Sequence, residues 1–374
     1  MSLQTEYRAL RQGAGIVDRS ARGRLTVAGA DRRTYLQGLL SNDIAALVEG
    51  AGCYATYLTA QGRMIADMRV FETGRGLLVD LDGTLADSIA ARWSQFVFSE
   101  DVQISNDSAS TAEIGVYGPA SAHVVAVAIA AARDGGKAGE IEEILRALPL
   151  YANRTWDVRG MAVDVLASDE VGVQGFDLVT PVGMKDDVVA LLQRSGGISA
   201  GPSAVEVARI EGGRPLFHVD MDEDTIPLEA GIEDRAISLT KGCYVGQEVI
   251  IRVLHRGHGR VARRLVGMAF DPGAPVPGAG EKISAVDREI GWITSAVDSL
   301  ALGRPIGLGY VHRDFVQPGT SVVAGGNTAT ITQLPFVPGR GFTQTNTDQD
   351  QPHTNTDEHG SSGSGNPVDR AVVK

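Results

Sequence analysis

Apolar and polar positions change period several times along this chain, and each change marks an element. Residues Glu6 to Gln12 carry a helical pattern that Gly13-Ala14-Gly15 interrupts. Arg24 to Val27 reads as a short strand. Asp31 then stands where it can cap a helix over Arg32 to Leu40, with Ser41-Asn42-Asp43 closing it. Alternation next predicts a β-hairpin, Tyr54 to Thr59 and Arg63 to Phe71, turning at Ala60-Gln61-Gly62. A period of two sets Met64, Ala66, Met68 and Val70 of the second strand toward a core, and Arg63, Ile65, Asp67 and Arg69 on the face open to chemistry.

The pattern continues with a strand at Leu77 to Leu81, an amphipathic helix over Thr84 to Phe98, and a strand at Ala112 to Tyr117. Gly118-Pro119 then starts a helix over Ser121 to Ala132. Asp134 to Glu143 is polar and glycine-rich and reads as a surface excursion. Two further strand-then-helix units are expected from strands Ala162 to Leu166 and Phe176 to Thr180, with helices Lys185 to Arg194 and Ala204 to Glu211. From Arg263 to Leu334 the chain shows only short strands among Gly and Pro, the mark of a small all-β barrel or sandwich. The expected division is an α+β region over 1–260 made of two interleaved domains, a β-barrel over 261–336, and a polar tail over 337–374. That tail lacks the apolar content to offset ordering entropy and is predicted to be disordered.

Composition narrows the function classes. A chain of 374 residues suits two or three domains, and a formal charge of −12 repels phosphate, which argues against general nucleic-acid or anionic-membrane binding. Only two cysteines occur, Cys53 and Cys243, too few for a disulfide framework or for a four-thiolate iron-sulfur cluster. No apolar run is long enough to span a bilayer, and Met1 to Ser20 lacks the apolar segment of a signal peptide. A soluble protein of a reducing compartment, most simply a bacterial cytoplasm, is expected.

One stretch makes little sense as scaffold. Lys241-Gly242-Cys243-Tyr244-Val245-Gly246-Gln247-Glu248 sets a thiol between glycines and beside an ammonium, where Lys241 would favour the thiolate if it folds back on the sulfur. A glycine-rich turn with an incidental cysteine is the bland alternative. The octapeptide resembles the K-G-C-[FY]-x-G-Q-E signature of the YgfZ family, folate-binding relatives of the glycine-cleavage T-protein. Three further segments share the likeness: Val27 to Asp31 with Tyr35 to Asp43, Gln61 to Asp67, and Arg209-Ile210-Glu211-Gly212-Gly213 with Pro227-Leu228-Glu229-Ala230-Gly231. T-proteins read G-G-I-x-D-D at the second of these, where this chain has Arg63 and Ala66. The resemblance implies a T-protein-like ring of three domains around a central folate cavity, with a C-terminal all-β barrel. It also implies a tetrahydrofolate-dependent role in keeping iron-sulfur client proteins active, or, in the T-protein branch, aminomethyl transfer in glycine cleavage. A non-enzymatic folate-dependent regulator linked to tRNA modification is the third reading.

Candidate site residues follow from both sources. Glu211 sits in the last turn of a predicted helix, where the macrodipole disfavours a carboxylate, and is the candidate to grip the donor-rich edge of a reduced pterin. The bland reading pairs it with Arg209 or Arg214. By the resemblance Asp67 matches the catalytic aspartate of T-proteins, and Arg63 and Arg69 are expected to keep it ionised. A structural pair with one of these arginines is its bland reading. Cys243, activated by Lys241, is a candidate nucleophile, sulfur contact or redox-sensitive neighbour of folate, while Tyr244 and Gln247 are carried as cofactor-binding positions. Neither a protease arrangement nor a zinc trio of Cys243, His255 and His258 has a supporting motif. Arg252, Arg256, Arg260, Arg263 and Arg264 crowd one stretch. They read as a docking strip for a polyglutamylated folate tail, with Arg252 on its α-carboxylate, against an RNA-binding strip or a solvated β-ribbon. Cys53, Trp156 and Trp292 read as packing.

Overall fold

Helix α1 (Leu3–Gln12) begins the chain, earlier than its apolar pattern implies, because the Ser2 hydroxyl accepts from the Thr5 amide and caps it. Strands β1 (Gly15–Asp18) and β2 (Gly23–Ala28) and helix α2 (Arg32–Leu39) follow. The hairpin β3 (Gly52–Leu58) and β4 (Met64–Glu72) leads to strand β5 (Leu77–Leu81), helix α3 (Ala86–Ser94) and strands β6 (Gln103–Asn106) and β7 (Thr111–Tyr117). Next come helices α4 (Ser121–Ala131) and α5 (Ala138–Ala147), strands β8 (Asn153–Val158), β9 (Met161–Ser168) and β10 (Gly175–Pro181), helix α6 (Lys185–Arg194), strand β11 (Ile198–Ser199) and helix α7 (Pro202–Glu211). Short helices α8 (Pro227–Ala230) and α9 (Glu233–Ala236) precede α10 (Gln247–His255), and strands β12 (Arg263–Phe270), β13 (Lys282–Ala285), β14 (Arg288–Ser299), β15 (Arg304–His312), β16 (Ser321–Ala324) and β17 (Asn327–Thr332) complete the chain. This computed structural model describes residues 1–133, 136–255 and 260–339. Arg256, His258 and the tail beyond residue 339 lie outside them.

Three sheets result: five strands in the order β3-β4-β5-β2-β6, six in the order β11-β1-β7-β10-β9-β8, and a closed barrel β12-β15-β14-β13-β16-β17. Every pairing in the barrel is antiparallel. The expected α+β class with a C-terminal all-β barrel is therefore observed. Among the described residues no helix is long and apolar enough to cross a membrane.

Several local expectations need correction. The Asp31 side chain makes no cap bond to α2, and instead accepts from the Asp101 amide. The polar stretch after Asp134 contains α5, whose Ile141 and Leu145 are buried one turn apart, so it is an amphipathic helix rather than an excursion. The two expected strand-then-helix units belong to an antiparallel meander of β8, β9 and β10, whose first strand the pattern did not announce. The Arg252 stretch begins on helix α10, not on a β-ribbon.

The hairpin carries one irregularity that matters. Tyr57 pairs with Ala66 and Leu58 with Met64, so Ile65 is bulged. Alternation is thereby reversed at the strand's start: Ile65 packs with Ala66, Met68 and Val70 in the core under α2 and α3, while Met64 joins Phe71, Tyr54 and Leu58 on the opposite face. Cys53 and Trp156 pack against cores as expected, but Trp292 is 37% exposed, lying beside Tyr310 under the Arg263 guanidinium.

Candidate functional site

The inner face of β4 presents Asp67 beside Tyr54 of β3, whose hydroxyl donates to Asp67 Oδ2 at 2.7 Å. Tyr54 lies stacked on Tyr151, with ring centroids 6.2 Å apart, and the Arg235 guanidinium covers its ring at 4.3 Å. Arg235 also donates from Nη1 to the Tyr151 hydroxyl at 3.3 Å and to Glu170 Oε1 at 3.4 Å. Arg22, Asp169, Glu170 and Arg235 keep between 16 and 21% exposure, and Asp67 is also partly exposed. These partly exposed charged groups gather around Asp67, between the two sheets and the segment carrying α9, and we take this cluster as the candidate recess.

The electrostatics agree. Burial pushes the Asp67 carboxyl above its ordinary value and outweighs Arg22, the Tyr54 hydrogen bond and Arg235, which pull it down; Glu170 adds to the rise. Glu170 moves the other way, to about 2, because Arg235, Arg69, Arg214 and Arg22 together outweigh its burial. The recess thus holds two carboxyls with proton affinities driven apart, the arrangement that separates an ionic anchor from a group able to hold a proton. Arg63 and Arg69 do not ionise Asp67 as expected. Arg63 pairs with exposed Asp224, and Arg69 is committed to Asp80, Asp177 and Glu113.

Glu211 is not in this recess. Its Oε2 accepts from the Tyr7 hydroxyl and from Arg11 Nη2, both at 2.6 Å, and its Oε1 from the Ser299 hydroxyl at 2.7 Å and the Ala301 amide at 3.1 Å. Four donors occupy the two oxygens of a fully buried carboxylate, which ties α1 and α7 to the barrel and leaves nothing to offer a pterin. Neither Arg209 nor Arg214 is its partner. Glu211→Gln is expected to lower unfolding free energy by about 1–3 kcal/mol in urea titrations while folate affinity stays unchanged; a lost affinity with unchanged stability would return Glu211 to the site.

The signature also separates into parts. Cys243 is exposed. The Lys241 ammonium turns inward, donating to the carbonyls of Gln37 at 2.7 Å, Leu40 at 2.5 Å and Asn42 at 2.9 Å, so its donors are spent and none reaches Cys243. Burial pushes Lys241 down to about 8 against the pull of Asp43 and Cys53, so the thiol in its electrostatic reach is Cys53, itself pushed up to about 12 by burial. Tyr244 is buried in the apolar cluster that contains Tyr54 and Tyr151, with Lys241 over its ring and its thiol-side neighbours outside. Gln247 opens α10 half-buried, and Arg252 lies exposed on the same helix. The loop leans on the hairpin turn: a side chain at Gly246, whose φ is +86°, would meet the Thr59 carbonyl at 2.5 Å. Glu211 is therefore tied to α1 and the barrel and Asp67 to Tyr54, with no shared hydrogen-bond partner, and Cys243 lies exposed.

Arg22, Tyr151, Glu170 and Arg235 carried no motif, and the sequence reading did not single them out. Surface clefts lie elsewhere, one of about 950 Å³ lined in part by Tyr7, Arg11 and Gln174 and one of about 510 Å³ lined in part by Arg24, Arg75 and Asp164. Arg11 in the first is paired with Glu211, and Arg24, Arg75 and Asp164 in the second lie in ion pairs, so these side chains are already engaged.

Comparison with known proteins agrees with this architecture. Residues 1–241 match the GCVT N-terminal domain and residues 263–338 the glycine cleavage T-protein C-terminal barrel domain, and the chain belongs to that family. It is similar to proteins named aminomethyltransferase from Cutibacterium acnes (28% identity, covering 88% of this chain and 89% of that one) and Moorella thermoacetica (28%, covering 90% and 89%). It is also similar to a putative chloroplastic transferase from Arabidopsis thaliana (26%, covering 88% and 72%). The crystal structure of glycine cleavage system aminomethyltransferase T from Bartonella henselae shares the fold, with a TM-score of 0.79 at 22% identity over 91% of each chain.

Proposed function

We propose that this chain binds tetrahydrofolate in the recess around Asp67 and acts in one-carbon transfer of the aminomethyl type. The observation that carries this is the Tyr54–Asp67 pair walled by Tyr151, Arg235 and Glu170. The site suits a polar heterocycle: two of its polar atoms, Arg235 Nη2 and Asp169 Oδ1, are buried without hydrogen-bond partners among the described residues. Tetrahydrofolate, when bound, supplies the two nitrogens that carry a one-carbon unit. Asp67 would orient the accepting nitrogen and hold its proton, Tyr54 would keep the carboxylate aimed, and Arg235 with Tyr151 would set the plane of the ring.

The absence of an acid at position 66 does not weigh against this chemistry. Ala66 is fully buried in the core under α2 and α3, on the face opposite Asp67, so a second acid there would not line the recess. The names of the relatives favour the same reading. A YgfZ-type role, the same folate site serving iron-sulfur client proteins, is favoured by one specific observation, the complete Lys241 to Glu248 signature with its exposed Cys243. Arg252, exposed on α10, is the proposed contact for a polyglutamyl tail in either case.

Reconstitution of glycine cleavage from purified partner proteins, lipoyl carrier and tetrahydrofolate separates them. Ammonia release dependent on this chain is the expected result. Tetrahydrofolate binding without turnover would move the reading to the second, and no binding would end both.

A further inference from the structure

The place of Lys241 demands an explanation that the thiol does not provide. Helix α2 ends without a glycine cap: its closing residue Leu40 is extended, with φ −102° and ψ 153°, so its last carbonyls have no left-handed turn to receive. A cation at a helix C-terminus is favourable, and an ammonium has three donors for three carbonyls. One of the three belongs to Asn42, and Asn42 is itself a clamp. Its amide Nδ2 donates to the Tyr54 carbonyl at 2.8 Å and to the Arg235 carbonyl at 3.0 Å, and its Oδ1 accepts from the Asp43 amide at 2.8 Å. Next to it, the Ser41 hydroxyl donates to the Ala236 carbonyl at 2.7 Å and accepts from the Thr56 amide at 2.8 Å. Thr56 is the cross-strand partner of Asp67.

We infer that Lys241 is a positioning residue: its ammonium fixes the turn of Ser41 and Asn42, and that turn holds Tyr54 and Arg235 in register around Asp67. The inference rests on the proposed folate site and assigns regulation of its geometry to a residue outside it. Burial that leaves Lys241 at about 8 still keeps it cationic near neutral pH, where the cap needs its charge. The carbonyl clamp also explains why the lysine of the signature precedes the glycine. The backbone turns outward at Gly242, exposing Cys243, only after the lysine side chain has been delivered inward.

A double-mutant cycle on tetrahydrofolate binding tests this. Lys241→Met and Asn42→Ala are each expected to raise the Kd by about tenfold, roughly one charge-assisted hydrogen bond, and the double variant to bind no worse than the weaker single. Should Lys241→Met fail to fold, Lys241→Arg, which keeps the charge and displaces it, takes its place. A second measurement needs no ligand. Amide hydrogen exchange in both variants is expected to quicken over residues 52–58 and 233–237, the strand and helix bearing Tyr54 and Arg235, and to stay unchanged in the barrel. Losses that multiply in the double variant, or an unchanged Kd in either single, would overturn the inference. If the wild-type chain binds no folate, the functional proposal falls, and unchanged exchange over those two segments would then sink the positioning role on its own.

Discussion

Asp67→Asn is expected to lower aminomethyl turnover by about two to four orders of magnitude while leaving the fold intact and tetrahydrofolate affinity within a few fold. The substitution keeps the shape and still offers an oxygen to the Tyr54 hydroxyl, so packing and the aromatic wall survive. What disappears is the negative charge between Arg22 and Arg235 and the capacity to take a proton. The pH profile gives an independent check. Burial raises the Asp67 carboxyl above its ordinary 3.8, so it takes up a proton at a higher pH than a solvated aspartate. Activity that needs the carboxylate therefore falls on the acid side at a pH above 3.8, and in Asp67→Asn that limb disappears from whatever turnover remains. Unchanged turnover with an unchanged acid limb would remove Asp67 from the chemistry.

How legible this was in the sequence depended on whether the determining contact was local. The barrel could be read because its strands are short and punctuated by Gly and Pro, and the hairpin because alternation is a local signal. The bulge at Ile65 could not, since it is set by which residue of β3 pairs with which of β4. Helix α5 left a usable trace, Ile141 and Leu145 one turn apart, obscured by the polar residues around them.

Site residues follow the same division. Asp67 stood in a recognisable segment. Glu211 stood out as a carboxylate at the wrong end of a helix, but what compensates it comes from Tyr7 and Arg11, about two hundred residues away, and from Ser299. The oddity was real and its cause was structural. Lys241 was read with its neighbour in sequence, although its partners lie on α2 and the turn after it, again about two hundred residues away. The recess lining of Arg22, Glu170 and Arg235 had no motif at all. The sequence does carry one signal of the buried charges: Arg69, Asp80, Glu113 and Asp177 each interrupt an apolar strand, and a charge in such a strand is tolerated only when a partner meets it.

Those four residues carry the largest expected effect on stability. Arg69 is fully buried where the two open sheets meet, and its guanidinium reaches Asp80 through Nε at 2.5 Å, Glu113 through Nη2 at 3.0 Å, the Ser168 hydroxyl at 2.9 Å, and Asp177. Arg19 reaches the same Glu113 oxygen as Arg69, at 3.0 Å, and Arg24 lies 3.9 Å from the other oxygen. Replacing Arg69 by Met fills the volume but removes the guanidinium that three acids share, leaving Asp80 to Arg22 and Glu113 and Asp177 to Arg19, and is expected to lower the unfolding free energy by about 3 kcal/mol, the lower end for a broken buried pair, read from urea titrations at neutral pH. The sign of the pH dependence follows from the aspartates. Asp80 and Asp177 are held below their ordinary 3.8 by the surrounding arginines, so their stabilisation is complete above 3.8 and is lost progressively as the pH falls below it toward their folded values, where the unfolded chain takes up protons that the folded one refuses. Glu113 behaves oppositely, raised by burial and by Asp80 and Asp177, so it opposes that slope above its ordinary 4.5. Removing Arg69 raises all three carboxyls, and the gap between Arg69→Met and wild type is therefore expected to be widest near neutrality and to narrow as the pH approaches 3.8. A gap that stays constant over this range would mean that the guanidinium packs there without its charge bridging the two sheets.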